Sequence, residues 1–394
     1  MTPTFAIRLI FFLDGLIIAK WLPHLPDIQA NLGLSIGQLG LALAALPLGI
    51  LCSLPLVGPV VVGRFSERIG VRLTFGWLIV TSTLPGMAWN LPTLGLTLFL
   101  LGTGIAGAEV TMNTTADAVE NRLGKRIMSS CHGLWSVGSI GGALVGGGVL
   151  MMALPVGQGL LLSAPVIAVL TFIASGALDQ RRSDAESGPA IALPSKSLLI
   201  LCLLPFCASL LEGSMADWAA VYLRTEYASA PFLTAAGFGA FAAVMAATRL
   251  SGDWLIGRLG PTRIAIGCGL SGVIGLCLLG LAASIELALL GFGFMGLAAS
   301  LIFPMSVTAA ARNPGRTPAH NIASLSLICF SGYVIGPPVV GALANAAGLR
   351  VALLCLLPLA IGIIILAGRA KPSPANIASN TQAERGPLLQ RKAV

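Results

Sequence analysis

The chain has 394 residues, of which 56% are hydrophobic and 10% charged, with a mean hydropathy of +0.91. Soluble domains carry about a quarter charged residues, so a water-soluble enzyme or adaptor is excluded. The net charge of +8 does not point to nucleic acid, because the basic residues cluster in short connections between apolar runs.

A bilayer takes about 20 apolar residues per helix, so roughly a dozen spans fit. The runs are apolar all round, which excludes the alternating strands of a β-barrel. Expected spans lie at approximately 5–28, 35–62, 71–90, 92–118, 129–152, 156–178, 197–223, 232–256, 262–283, 285–311, 321–346 and 349–369. The first is read as a permanent span and not a cleaved leader, because Asp14 and Lys20 interrupt it and no small-residue cleavage site follows.

Basic residues follow every second span. They are Arg64, Arg68 and Arg72; Arg122, Lys125 and Arg126; Arg181, Arg182 and Lys196; Arg258 and Arg263; Arg312 and Arg316; Arg369 and Lys371. The alternate connections hold little beyond Arg224 and Arg350. Both termini and the connection 179–196 are therefore expected in the cytoplasm of a bacterium, with the chain crossing its inner membrane many times. The stretch DQRRSDAESGPAIALPSK divides a first bundle, 1–178, from a second, 197–369. The polar tail 370–394 is expected to be disordered. Eight cysteines lie in or beside apolar runs without a CxxC pair, the pattern of buried free thiols.

The two bundles repeat one another. Span one reads DGLIIAKW from Asp14, and span seven reads EGSMADW from Glu212, one residue shorter. Span four reads LLGTGIAG from Leu100 and span ten LLGFGFMG from Leu289. Span five reads WSVGSIGG from Trp135 and span eleven YVIGPPVVG from Tyr333. Parallel halves of this kind relate by an axis along the membrane normal.

Taken together, these features resemble the major facilitator superfamily. Gly63-Arg-Phe-Ser-Glu67-Arg68-Ile-Gly70-Val-Arg72 is similar to its signature loop, with Glu where Asp is commoner. A degenerate second copy runs from Gly252 to Arg263. The stretch AEVTMNTTADAVENR resembles the fucose permease-like branch, and EGSMADW with HGLWSVG looks like a bacterial group near rhizopine permeases. The resemblance implies an all-α fold of twelve transmembrane helices in two pseudo-symmetric six-helix bundles. It also implies a cavity lined by spans one, four, seven and ten, and a latch in the signature loop, with Gly63, Glu67, Arg68, Gly70 and Arg72 holding the halves together in the outward-facing state.

Ionisable residues inside apolar spans need a partner, a proton or a wet cavity. Glu109 is the first candidate for carrying a proton. Asn113 shares its helix face four residues on, while the repeat counterpart of Glu109 is Ala298. Asp14 and Glu212 are further proton-coupling candidates. Lys20 and Asp217 precede Trp21 and Trp218 in the repeated motif, which suggests an inter-half ion pair at the outer mouth. Snorkelling of Lys20 to the headgroups is the alternative. His132 can join a proton relay or be solvated at the end of span five. Trp21, Trp135, Trp218 and Tyr333 can stack on a sugar or other ring, although packing and interfacial anchoring also suit them. Asn113, Lys20 and Asp217 complete the candidate cargo contacts.

Two strings, Gly102-x-Gly104-x-x-Gly107 and Gly291-x-Gly293-x-x-Gly296, match the dinucleotide-binding pattern. They lie inside spans and follow no strand, so close helix packing explains them. Gly133, Gly138, Gly141 and Gly142 are similar to the superfamily's antiporter motif, with Ser139 in place of the expected Pro. No Walker loop, metal-ligand cluster or nucleophile–base pair is visible. The expected protein is a monomeric carrier without cofactor or metal. It would be driven by the proton gradient and would take up a small polar metabolite, sugar or sugar-like, together with protons. Proton-driven export of drugs or metabolites is the alternative.

Overall fold

The computed structural model describes residues 1–124, 127–180, 193–314 and 316–370. Residues 181–192 of the expected linker and 371–394 of the expected tail lie outside them. The N-terminal half contains α1 (Pro3–Ala19), α2 (Leu25–Asn31), α3 (Ile36–Leu43), α4 (Ala45–Val57), α5 (Glu67–Thr81), α6 (Leu91–Leu123), α7 (Met128–Leu150), α8 (Val156–Leu162) and α9 (Ala164–Ser175). The C-terminal half contains α10 (Lys196–Tyr227), α11 (Pro231–Leu250), α12 (Gly252–Leu259), α13 (Pro261–Leu281), α14 (Ile285–Ser300), α15 (Ile302–Ala311), α16 (Pro318–Ala347), α17 (Leu349–Leu354) and α18 (Leu357–Leu366). No strand occurs among the described residues.

Ten helical stretches are long and apolar enough to cross a membrane, and they coincide with ten of the expected spans. Spans one and three are helical but interrupted. α1 ends at Lys20, a short 3-10 turn follows over Leu22–His24, and α2 resumes at Leu25. Pro23 and Pro26 lack the N–H groups that would carry one helix through. α5 ends in three hydroxyl residues that bond back on their own turn. Thr81 donates to Trp77 O at 2.9 Å, Ser82 to Ile79 O at 2.8 Å and Thr83 to Val80 O at 2.8 Å.

Side-chain caps start several of the helices. Ser35 with Gln38 and Asn90 with Thr93 bond reciprocally at α3 and α6. Ser66, Ser195, Ser284 and Thr317 each accept from a first-turn N–H. α6 stops at Gly124, whose φ of 61° is left-handed.

Glycine sets the tightest packing. Gly138, Gly142 and Gly146 recur every fourth residue on α7. A Cβ on them would strike the carbonyls of Phe12, Leu16 and Lys20, which also recur every fourth residue on span one. The two backbones therefore run in direct contact. The dinucleotide-like strings serve the same end: Gly102 meets Leu46, Gly104 meets Leu78, Gly107 meets Thr74, and Gly296 meets Phe241.

The halves meet along two seams, α3 with α16 and α7 with α11. In the first, a Cβ on Gly40 would strike the Pro337 carbonyl and the Gly341 backbone. These residues lie at the end of the bundle opposite the basic connections. α6 and α15 pack within their own halves. All eight cysteines are free, but Cys52 and Cys355 are exposed. Their helices turn that face outward, and this corrects the expectation that every thiol is buried.

Candidate functional site

In the N-terminal half, α1, α6 and α7 bring four of the expected residues together. Asp14 is fully buried. Trp135 Nε1 donates to Asp14 Oδ2 at 2.8 Å, and Asp14 Oδ1 has no hydrogen-bond partner among the described residues. Glu109 lies within electrostatic reach of Asp14. Asn113 Nδ2 donates to the Glu109 carbonyl at 2.8 Å and to Glu109 Oε1 at 3.4 Å. Glu109 and Asn113 are partly exposed, and Asp117, one turn further on the same face, is exposed. Exposure along that face rises toward the basic end of the bundle. Neither carboxylate meets a cationic side chain within ion-pair distance among the described residues.

The C-terminal half answers with a different charge pattern. Arg249 Nη2 donates to Glu212 Oε1 at 3.3 Å, and Arg249 Nε donates to the Ser300 carbonyl at 3.1 Å. The two side chains are 25% and 18% exposed. The Tyr333 hydroxyl sits beside Glu212. His132 is exposed near the basic end of α7, with Phe11 edge-on at 5.1 Å and Arg249 within electrostatic reach.

The signature loop bonds within its own half. Arg122 makes a two-pronged pair with Glu67 at 2.8 and 2.8 Å and reaches Asp179 at 3.4 Å. Arg68 donates to the Leu178 carbonyl at 3.0 and 3.3 Å. Arg72 donates to Ser175 Oγ at 2.9 Å and lies 4.0 Å above the Phe172 ring. Gly70 leaves room beside Val61 and Thr111, and the Gly63 N–H closes the end of span two on the Gly58 carbonyl. In this conformation the loop binds spans two, three, four and six to one another. The side chain of Glu67 is 1% exposed, so its charge depends on the guanidinium fork.

The expected Lys20–Asp217 pair is not formed. Lys20 turns into its own half and donates to Ser163 Oγ at 3.1 Å and the Leu160 carbonyl at 3.3 Å. It is buried and does not snorkel. The cause is register. Lys20 follows Asp14 by six residues, whereas Asp217 follows Glu212 by five. One residue rotates a side chain by about 100° around a helix, so Ala19 is the counterpart of Asp217. Asp217 is partly buried and has no hydrogen-bond partner among the described residues. Trp21 and Trp218 are both buried, each with its ring N–H unpartnered among the described residues.

Sequence reasoning missed two features. Arg249 lies inside expected span eight, where the rule that singled out Glu109 applies equally. Among the described residues, the ion pair joining the halves is Arg224–Asp27, at 2.8 Å. Arg350 pairs with Glu226 at 2.7 Å. The two arginines that broke the loop pattern are thus each neutralised by an acid. Asp27 and Glu226 sit at span ends in the sequence, where a charge draws no notice.

The sequence profile of the Major Facilitator Superfamily matches residues 7–325 and again 201–394. The chain belongs to the Major Facilitator Superfamily. It is a multi-pass membrane transporter, and that superfamily does not consist of enzymes. An uncharacterised transporter of the superfamily from Yersinia pestis is 30% identical over 349 residues, covering 89% of this chain and 91% of its own length. Membrane protein MosC of Rhizobium meliloti is 27% identical over 362 residues, covering 91% and 88%. Among solved structures, the nucleoside transporter NupG aligns at a TM-score of 0.71 with 13% identity, covering 94% of this chain and 99% of its own. A point mutant of the fucose:proton symporter FucP of E. coli aligns at 0.62 with 17% identity, covering 94% and 99%. These likenesses carry the superfamily's helical fold.

Proposed function

We propose that this superfamily member is a proton-coupled symporter for a small polar metabolite, sugar or sugar-like, working by alternating access in a bacterial inner membrane. The observation that carries the reading is the absence of any cationic partner for Asp14 and Glu109 among the described residues, beside a carboxylate in the other half that has one. An uncompensated carboxylate in a low-dielectric site is held there by a proton. Glu109, partly exposed, exchanges that proton, and Asp14 sits behind it, oriented by Trp135. Asn113, Trp135, Tyr333 and the Glu212–Arg249 pair offer donors, acceptors and ring faces to a hydroxylated cargo. On this reading the basic face is cytoplasmic, and the contact of α3 with α16 at the opposite end supports an inward-facing arrangement. The carrier acts as a monomer and needs no cofactor. That FucP is described as a fucose:proton symporter agrees with this reading.

Coupling requires protonation and cargo to prefer the two facing states differently. Monosaccharides, polyols and nucleosides screened by ligand-dependent thermal shift will identify the cargo, since a ligand of the native state raises its melting point. Proteoliposomes with an imposed pH gradient will then accumulate it while a trapped dye reports acidification of the lumen. Cargo moving against the proton flow would replace symport by export.

A further inference from the structure

We propose that the face of α12 carrying Trp254 and Arg258 lies in the membrane interface and holds the phosphate of an anionic phospholipid, which supplies the negative charge that the second copy of the signature loop lacks. The two copies share a frame. Arg258 stands where the first copy has Arg68, Gly260 where it has Gly70, and Gly257 where it has Glu67. In the first copy Glu67 carries the Arg122 fork, and Arg68 and Arg72 bond to Leu178 and Ser175. The helix that follows, α5, is capped by the Ser66 hydroxyl. In the second copy Gly257 removes the acid. Arg258 is exposed and joins no ion pair among the described residues. Its guanidinium instead lies 5.3 Å from the centre of the Trp254 ring. The helix that follows, α13, starts at Pro261 without a side-chain cap. Arg263 is exposed in its first turn, and Thr262 Oγ1 is buried without a hydrogen-bond partner among the described residues. The second copy thus holds donors in excess and lacks an acceptor.

The faces of α12 fit a helix lying in the interface. Gly252, Leu255 and Ile256 turn inward: Gly252 meets Leu301, and the other two pack on the core. Trp254, Gly257 and Arg258 fall within about 100° of one another on the other side. All three are exposed, Trp254 to 63%. Asp253, the acid of this helix, sits about 140° from Arg258, in the first turn where the helix dipole favours it. An exposed indole gains most at headgroup level, where its ring is dry and its N–H wet. An arginine beside it takes a phosphate by two parallel hydrogen bonds. The unsatisfied N–H groups at the start of α13 add donors for the same anion. A soluble anion would use the arginines and leave the indole in water, so the lipid is the occupant that uses both. The inference rests on the multi-pass topology and stands apart from the proposed cargo and proton coupling.

The first test is native mass spectrometry of the full chain in detergent, with phosphatidylglycerol and phosphatidylethanolamine of identical acyl chains in equal amounts. The parent is expected to retain phosphatidylglycerol in preference. Arg258→Gln is expected to lower the retained fraction about fivefold, and Arg64→Gln in the first copy to leave it at the parent value. Equal losses in the two variants would reduce the effect to overall loop charge and overturn the site. Displacement of the lipid by millimolar inorganic phosphate would make the site one for a soluble anion and overturn the lipid assignment. The second test places a nitroxide at Gly257→Cys, where an added side chain meets nothing within 4 Å. The chain sits in nanodiscs of the same lipids, with exposed Cys52 and Cys355 replaced by Ser. The label is expected to collide more often with membrane-dissolved oxygen than with a water-borne nickel chelate. The reverse order would put α12 in water and overturn its interfacial position.

Discussion

Asp14 on α1 and Glu212 on α10 occupy matching places in the two halves, 198 residues apart, and each lies beside an aromatic side chain that is also 198 residues from its counterpart, Trp135 or Tyr333. The halves then diverge. The C-terminal half adds a cation, Arg249, and its carboxylate becomes one end of a fixed ion pair. The N-terminal half adds a second carboxylate, Glu109, within reach of the first. One ancestral-looking pair has thus acquired opposite electrostatics. On the proposed reading, the compensated carboxylate helps shape the cargo site, whereas the uncompensated cluster is where the proton is carried.

The most severe break of this contrast is Glu109→Gln or Asp14→Asn. Either is expected to reduce pH-driven accumulation to the level of empty vesicles, while Glu109→Gln retains cargo exchange at equal pH. Accumulation at the parent rate would remove that residue from coupling. Next in size is Arg249→Gln, which strands the Glu212 charge. Breaking a fully buried pair costs about 3–5 kcal/mol. For this partly exposed pair about 1–3 kcal/mol is expected, seen as a lower melting point in detergent. Adding Glu212→Gln is expected to recover most of it.

The aromatic partners sharpen the comparison. Trp135→Phe deprives fully buried Asp14 of the indole N–H that holds it and is expected to cost about 1–3 kcal/mol. Tyr333→Phe is expected to cost less, about 0.5–1.5 kcal/mol, because Glu212 keeps Arg249. The reverse order in thermal unfolding would mean that the halves are more alike than their charges suggest. The smallest expected effect is a coupling near zero. A Lys20→Ala/Asp217→Ala cycle is expected to be additive within about 0.5 kcal/mol, since the two side chains do not meet.

The apolar spans were legible because composition and glycine spacing act over many residues at once. Glu109 with Asn113 was legible too, because two positions four apart must share a helix face. The Lys20–Asp217 pairing failed at the level of a single residue. The repeated motif aligns either its acids or its tryptophans but not both, and only the former matches the observed contacts. Arg249 and the Asp27–Arg224 pair escaped for another reason. Their meaning lies in which helix faces which, and no periodicity along one segment reports that.

The glycine contacts between α7 and span one end where Gly146 meets the Lys20 carbonyl, at the residue where α1 itself stops. Everything before that point is clamped backbone to backbone, like a blade set in its handle. Residues 21–31 follow as a 3-10 turn and a short helix packed against α7 and α10. Span one is therefore built in two pieces, so the turn at Leu22–His24 separates the segment held against α7, with its Asp14–Trp135 bond, from the short helix beyond it.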